Sequence, residues 1–188
     1  MRPRFSLVSL ALAGGVALSC SEPVTTTGPS FGRAPACDPK YEKCDGDGRM
    51  TGGGSSITIG DVRITKGLTI HCDIVLSNNV EVNWPGNKWH LDKPLTGAEC
   101  IDDPAISPEP PAAPFDTFIG DGIGRLNGVD GSAIHFTFVD AGEPGGKNDK
   151  AAIRITAPDG TVVLDLPLTP ISGGNLQAHY DQPHGGNP

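Results

Sequence analysis

Apolar and polar residues alternate along most of the chain beyond residue 56. Ile57 and Ile59, Val62 and Ile64, then Leu68, Ile70 and Cys72, and Val80, Val82 and Trp84 recur at every second position. The same period returns at Ile134, Phe136 and Phe138, at Ile153 and Ile155, at Leu164 and Leu166, and at Leu176, Ala178 and Tyr180. A period of two puts one set of side chains on one face of an extended backbone, so these runs predict half-buried β-strands. Gly, Asn, Asp or Pro bounds each run, and no window carries an apolar stripe at i, i+3, i+4. With 26 glycines and 18 prolines, long helices are disfavoured. The fold expected is all-β, an antiparallel β-sandwich or barrel of short strands over residues 51–188. One long extended loop interrupts it at 102–114, where Pro104, Pro108, Pro110, Pro111 and Pro114 crowd together.

The first fifty residues follow other rules. Arg2 and Arg4 precede an apolar run from Phe5 to Leu18, which is shorter than the roughly 20 residues a spanning helix needs. It reads as a signal peptide, 1–19, that directs the chain out of the cytoplasm. Ala17-Leu18-Ser19-Cys20 resembles the bacterial lipobox, in which the cysteine thiol is acylated and becomes the new N-terminus. Ala17 stands where Leu is usual. Ser21 at the next position resembles the pattern sorted to the outer membrane, so the expected location is an outer-membrane or cell-surface lipoprotein, or otherwise a secreted protein. Acyl chains hold a protein at a surface without a spanning helix. Residues 20–50, rich in Thr, Pro, Gly and charge, read as a disordered N-terminal tether to that anchor.

Charge narrows the partners. Removal of Arg2 and Arg4 with the signal takes the formal charge from −8 to −10, which argues against nucleic acid and against adhesion to anionic lipid through a basic patch. Contact with a membrane is expected only through the lipid anchor. Apart from Cys20 the cysteines are Cys37, Cys44, Cys72 and Cys100, an even number in an exported chain, and two disulfides are the natural reading. Of three connectivities, Cys37–Cys44 with Cys72–Cys100 is preferred, since the first pair closes a small polar loop within the tether and the second lies within the folded domain. No CxxC knuckle supports zinc.

Two segments could bind. Asn83-Trp84-Pro85-Gly86-Asn87-Lys88-Trp89-His90 sets two tryptophans around a turn with amides beside them, a combination that stacks on the apolar face of a sugar and satisfies its hydroxyls. Core packing of one or both indoles is the competing reading. Asp140, Glu143, Asn148 and Asp149 could converge on one calcium ion, or could cap loop amides. No other cofactor is expected. Catalysis has little to stand on. His71 next to Asp73 and His135 near Asp130 could be imagined as base and orienter, yet no serine sits in a nucleophile elbow and no thiol is spare. Asp116, Asp121 and Asp130 lie in Gly-rich turns with nothing to set the separation that a glycosidase needs.

Thr51-Gly52-Gly53-Gly54, the run from Gly120 to Gly131, Asp140 to Asp149 and Ser172 to His179 follow one another in an order that resembles a post-choice-of-anchor type of small secreted bacterial β-domain. The hairpin here carries an extra Gly, and Lys150-Ala151-Ala152 replaces the usual Phe. His71-Cys72-Asp73, Val82-Asn83-Trp84 and Cys100 look like a disulfide-bearing branch of that type. The resemblance implies a secreted β-domain and brings no catalytic residues to carry over. The expectation is therefore a non-catalytic binding module, with cell-surface carbohydrate as its ligand. The alternative is a structural subunit that joins envelope proteins or copies of itself through exposed strands.

Overall fold

The computed structural model describes residues 48–107, 113, 115–143 and 148–181. Cys20, the Cys37–Cys44 pair, the signal segment and the tether up to residue 47 lie outside the described residues, as do Pro108, Pro110, Pro111 and Pro114. The described residues form ten strands: β1 (Arg49–Ile59), β2 (Val62–His71), β3 (Asn79–Trp84), β4 (Asn87–Leu91), β5 (Gly97–Ile101), β6 (Thr117–Leu126), β7 (Val129–Val139), β8 (Lys150–Thr156), β9 (Val162–Pro170) and β10 (Gln177–His179). The sheet starts at Arg49, two residues before the expected boundary at residue 51. Met50 is already fully buried.

Every pairing is antiparallel, in the order β10-β1-β2-β3-β4-β6-β7-β8-β9. Nine strands form this path, curled as a half-barrel, and β5 pairs with β6 beyond the end of β4. The all-β expectation holds, and between sandwich and barrel the result is one curled sheet. Its inner face carries the alternating apolar residues, with Trp89, Phe118, Phe136, Phe138, Ile57, Ile70 and Ile153 fully buried. Phe118, Phe136 and Phe138 stack in sequence, with ring centroids 6.0 Å and 4.7 Å apart. Ile59 and Val62 share the alternation but flank the β1–β2 turn and are exposed.

β6 shows why one strand escapes a hydrophobic pattern search. Its inward positions include Gly120, Gly122 and Gly124, and larger partners occupy the space that their side chains would have filled. A Cβ on Gly120 would stand 2.4 Å from the Phe136 ring, one on Gly122 2.7 Å from Leu91, and one on Gly124 2.1 Å from the His90 carbonyl oxygen and 2.6 Å from the Trp89 indole. Three inner glycines thus let rings and leucine lie directly on the backbone.

The chain after β9 crosses to the opposite side of the sheet. Ile171 N–H donates to the Asp149 carbonyl (2.9 Å), Ser172 N–H to the Ser56 carbonyl (2.7 Å), and Ser56 N–H to the Gly173 carbonyl (2.8 Å), after which β10 pairs with β1. On the other flank, Cys72 at the end of β2 is bonded to Cys100 in β5, the second pair of the preferred connectivity. Asp116 closes the base of the Pro-rich loop: its carboxylate accepts from Asp103 N–H (2.7 Å) and from the Thr117 hydroxyl (2.6 Å).

Two outcomes follow for stability. Gly120→Ala should lower unfolding free energy by about 1–3 kcal/mol in a urea melt, because a methyl group must displace a packed ring. Gly53→Ala, with open space around its Cβ, should change it by less than about 0.5 kcal/mol, and equal effects would refute the packing role. Reducing Cys72–Cys100, which closes a loop of sequence separation 28, should cost about 3–4 kcal/mol on the chain-entropy model, read as a shift of the denaturant midpoint.

Candidate functional site

The tryptophan hairpin turns on Pro85-Gly86, with Pro first and Gly86 at φ 75°, the order of a type II turn. Trp84 then faces Asn87 across the pair, and Val82 faces Trp89. Side-chain parity follows from that register. Trp84 and Trp89 both share the inward face with Val80 and Val82. Trp89 is fully buried against Gly124, so the expectation that it binds ligand is corrected: it is core. Trp84 is half-buried and packs against the same core. Asn83 points to the other face and donates to Glu81 (3.0 Å). Asn87 donates to the Pro85 carbonyl (3.1 Å) and accepts from Asn127 (2.9 Å). The four residues therefore do not form one stacking platform.

The acidic hairpin takes the capping alternative. Asp149 is fully buried, accepting from Ala141 N–H at Oδ1 (3.0 Å) and from Leu176 N–H at Oδ2 (2.7 Å). Asp140 accepts from Gly142 N–H (3.2 Å) and from Ala178 N–H (2.8 Å). Glu143 takes the side-chain amides of Asn175 (2.7 Å) and Gln177 (2.8 Å) on one oxygen. Asn148 is exposed. Among the described residues no group of three His, Cys, Asp or Glu is placed to hold a metal ion. Three carboxylates thus fasten the 175–178 segment, Asp149 and Asp140 through the backbone amides of Leu176 and Ala178 and Glu143 through the side-chain amides of Asn175 and Gln177.

This latch adjoins a buried cation. Lys66 lies on the inward row of β2 between Ile64 and Leu68, 2% exposed, with Nζ 4.9 Å from the centre of the Phe138 ring. Burial lowers its pKa to about 7, against the opposing pull of the Asp149 charge. Burial likewise raises Asp149 to about 6, opposed by its two N–H donors.

The outer face carries the open cleft. Glu81, Lys88, His90, Arg125, Asn127 and Gly128 line a space of about 360 Å³ over β3, β4 and β6. Asn127 (φ 52°) and Gly128 (φ 85°) form the β6–β7 turn. Asn127 grips the neighbouring hairpin, accepting from Lys88 N–H (2.9 Å) and donating its own N–H to the Lys88 carbonyl (2.8 Å). Within the cleft Lys88 pairs with Glu81 at 2.9 Å, and Arg125 bridges Asp92 (2.6 Å) and Asp130 (2.7 Å). Hydrogen bonds from Asn83 and Lys88 hold Glu81 below the usual carboxylate range. His90 Nδ1 makes no hydrogen bond and lies 3.9 Å from Glu81.

Outward residues elsewhere pair in ways that sequence proximity did not suggest. His71 bonds Asp181 (2.8 Å) rather than Asp73, and His135 bonds Asp121 (2.8 Å) rather than Asp130. Sequence reasoning included Lys88 and His90 in the tryptophan segment without giving them a role and passed over Glu81 and Arg125; the available signal was that all four occupy the polar half of the alternation. No protein-family model, curated protein or solved structure matches the chain.

The buried pair sets a pH dependence. Folded Lys66 holds its proton less tightly than the ordinary value of 10.5, so its charging cost is fully present below about pH 7 and fades as pH rises toward 10.5. Asp149 acts oppositely and lower down: its contribution is present below 3.8 and is lost as pH rises through about 6. Lys66→Met should flatten the gain in stability between pH 7 and about 9.5 in urea melts. A variant that keeps the wild-type slope would sink this assignment.

Proposed function

We propose that this chain is an exported, non-catalytic binding module whose outer cleft over β3, β4 and β6 takes a hydroxyl-rich ligand, with carbohydrate as the best chemical match. One observation carries the reading: Glu81, Lys88, His90, Arg125 and the Asn127-Gly128 turn converge on an open space of about 360 Å³, already charge-paired and fixed in place by the strands beneath. Such a surface offers acceptors and donors side by side, which suits hydroxyls that do both. Sugar recognition here runs through charged and imidazole groups, since both indoles turn inward. Export is supported by the Arg2 to Leu18 run, and an anchor at Cys20 by the small residues before it. The order of glycine-rich and acidic motifs supports membership of the post-choice-of-anchor type.

The structural-subunit alternative has one feature in its favour. β9 pairs only with β8 among the named strands and exposes Val162 and Leu168. Pro167 and Pro170 remove N–H donors from that edge and discourage strand addition.

The test is a glycan array probed with the mature protein and with Arg125→Ala and His90→Ala, whose exposed positions should leave the thermal melt unchanged. Wild-type binding that falls about tenfold or more in either variant is the expected outcome. Absence of any glycan signal, with assembly that grows with protein concentration, would replace this reading with the structural one.

A further inference from the structure

The turns of the β1–β2, β3–β4, β6–β7 and β8–β9 hairpins all fall at one end of the sheet, because every neighbouring pair on the path is antiparallel. There the inward row runs out of cover. Ile59 pairs with Val62 on the face of the buried pair Ile57 and Ile64, and Leu126 pairs with Val129 on the face of Trp89. Ile59, Val62 and Val129 are 44%, 43% and 61% exposed, and Trp84 and Leu126 are half-buried against the core. Ile57, Ile64 and Trp89 close the interior behind them. The result is a shallow apolar mouth ringed by the polar turns Gly60-Asp61, Gly86-Asn87 and Asn127-Gly128.

The opposite end presents a counterpart. Val75, at 70% the most exposed large apolar side chain among the described residues, lies in the 72–78 turn between β2 and β3. That turn is held in one shape. Asp73 accepts from Val75 N–H at Oδ1 (3.0 Å) and from Leu76 N–H at its carbonyl (3.1 Å), while Asn78 accepts from His71 N–H (2.6 Å) and donates to the Leu76 carbonyl (3.0 Å). The Cys72–Cys100 bond ties the turn to the end of β5, where Ile101 is 37% exposed and the exposed Asp102 and Asp103 follow. This end is therefore apolar at its tip and acidic around it. At the mouth, Arg63 next to Val62 is exposed and has no ion pair among the described residues, whereas Arg125 and Arg154 are both paired.

We propose that copies of this chain stack end to end, the Val75 turn of one seated in the apolar mouth of the next. The charges set the orientation: two acidic ends repel, and an acidic, apolar-tipped turn suits a mouth with a guanidinium at its rim. Two mouths facing each other would meet only through their polar turns. A turn already fixed by its own hydrogen bonds loses little freedom on seating. Because the two surfaces differ and lie at opposite ends, the contact is heterologous and repeats without closing. It uses neither the cleft nor the strand edges.

Sedimentation equilibrium tests this on the mature chain with Cys20→Ser, so that no acyl group drives association. Between about 10 µM and about 1 mM the weight-average mass should rise past that of a dimer without a plateau, as a small contact that repeats requires. Val75→Asp and Val129→Asp, at exposed positions that should leave the thermal melt unchanged, should each weaken association about tenfold or more. Mixed in equal amounts, the two variants should form dimers and stop, since the first keeps its mouth and the second keeps its turn. Val75→Ser and Val129→Ser take their place if an Asp variant melts early. A wild type that stays monomeric at the highest concentration overturns the proposal. So do a plateau at the dimer that survives Val75→Asp, which marks mouth-to-mouth pairing, and a variant mixture that remains monomeric.

Discussion

Much of this molecule depends on the absence of side chains at three positions of one strand. Gly120, Gly122 and Gly124 on β6 leave bare backbone on the inner face, and Phe136, Leu91 and Trp89 come down onto it. Close approach of rings to backbone lets the sheet curl around its own core without a second sheet to cover it. The same contact fixes Trp89 inward. With β4 pinned in that register, its alternate residues Lys88 and His90 can only face out, where β6 presents Arg125 to them. A core constraint thus determines what the outer surface displays.

Closure is handled by a different kind of force. The chain after β9 returns to β1 through a short segment that Asp149 and Asp140 hold by the backbone amides of Leu176 and Ala178 and that Glu143 holds by the side-chain amides of Asn175 and Gln177. Ser56 and Gly173 exchange strand-like contacts at the same junction, and Gly52 has no side chain where Leu176 packs. Three of the four motifs that set this chain apart in composition therefore meet at one seam. Burying carboxylates is costly unless their oxygens are satisfied, and each oxygen of Asp149 has its donor. Lys66, close enough for the Asp149 charge to act on it, is cushioned by the Phe138 ring.

On the opposite face charge is ordered rather than scattered. Exposed ion pairs contribute little stability one by one, so Glu81, His90, Arg125 and Asp130, and likewise Asp121, His135, Arg154 and Asp165, aligned by register across four strands each, add little fold energy. Their alignment is a property of register: residues as distant as Asp121 and Asp165 fall on one line because the pairs Asp121–His135, His135–Arg154 and Arg154–Asp165 lie between the irregularities of those strands.

The amino-acid sequence by itself determined the class of fold, because a two-residue apolar period has only one structural meaning and turn residues marked its breaks. It placed the strands around Ile64, Val82, Phe136 and Ile153, and favoured the Cys72–Cys100 pair among three connectivities. β6 stayed hidden because glycine at an inward position carries no hydrophobic signal, and β4 and β5 because they are short and separated by a loop that carries Leu95 into the core. Asp140, Glu143 and Asp149 were legible as a group but not in their role, since the amides they serve lie some thirty residues away along the chain. Only tertiary structure decided which face each tryptophan took and which acid each histidine met. Local pattern sets the parity of a strand, whereas the partner across the sheet is a long-range choice made by register and packing.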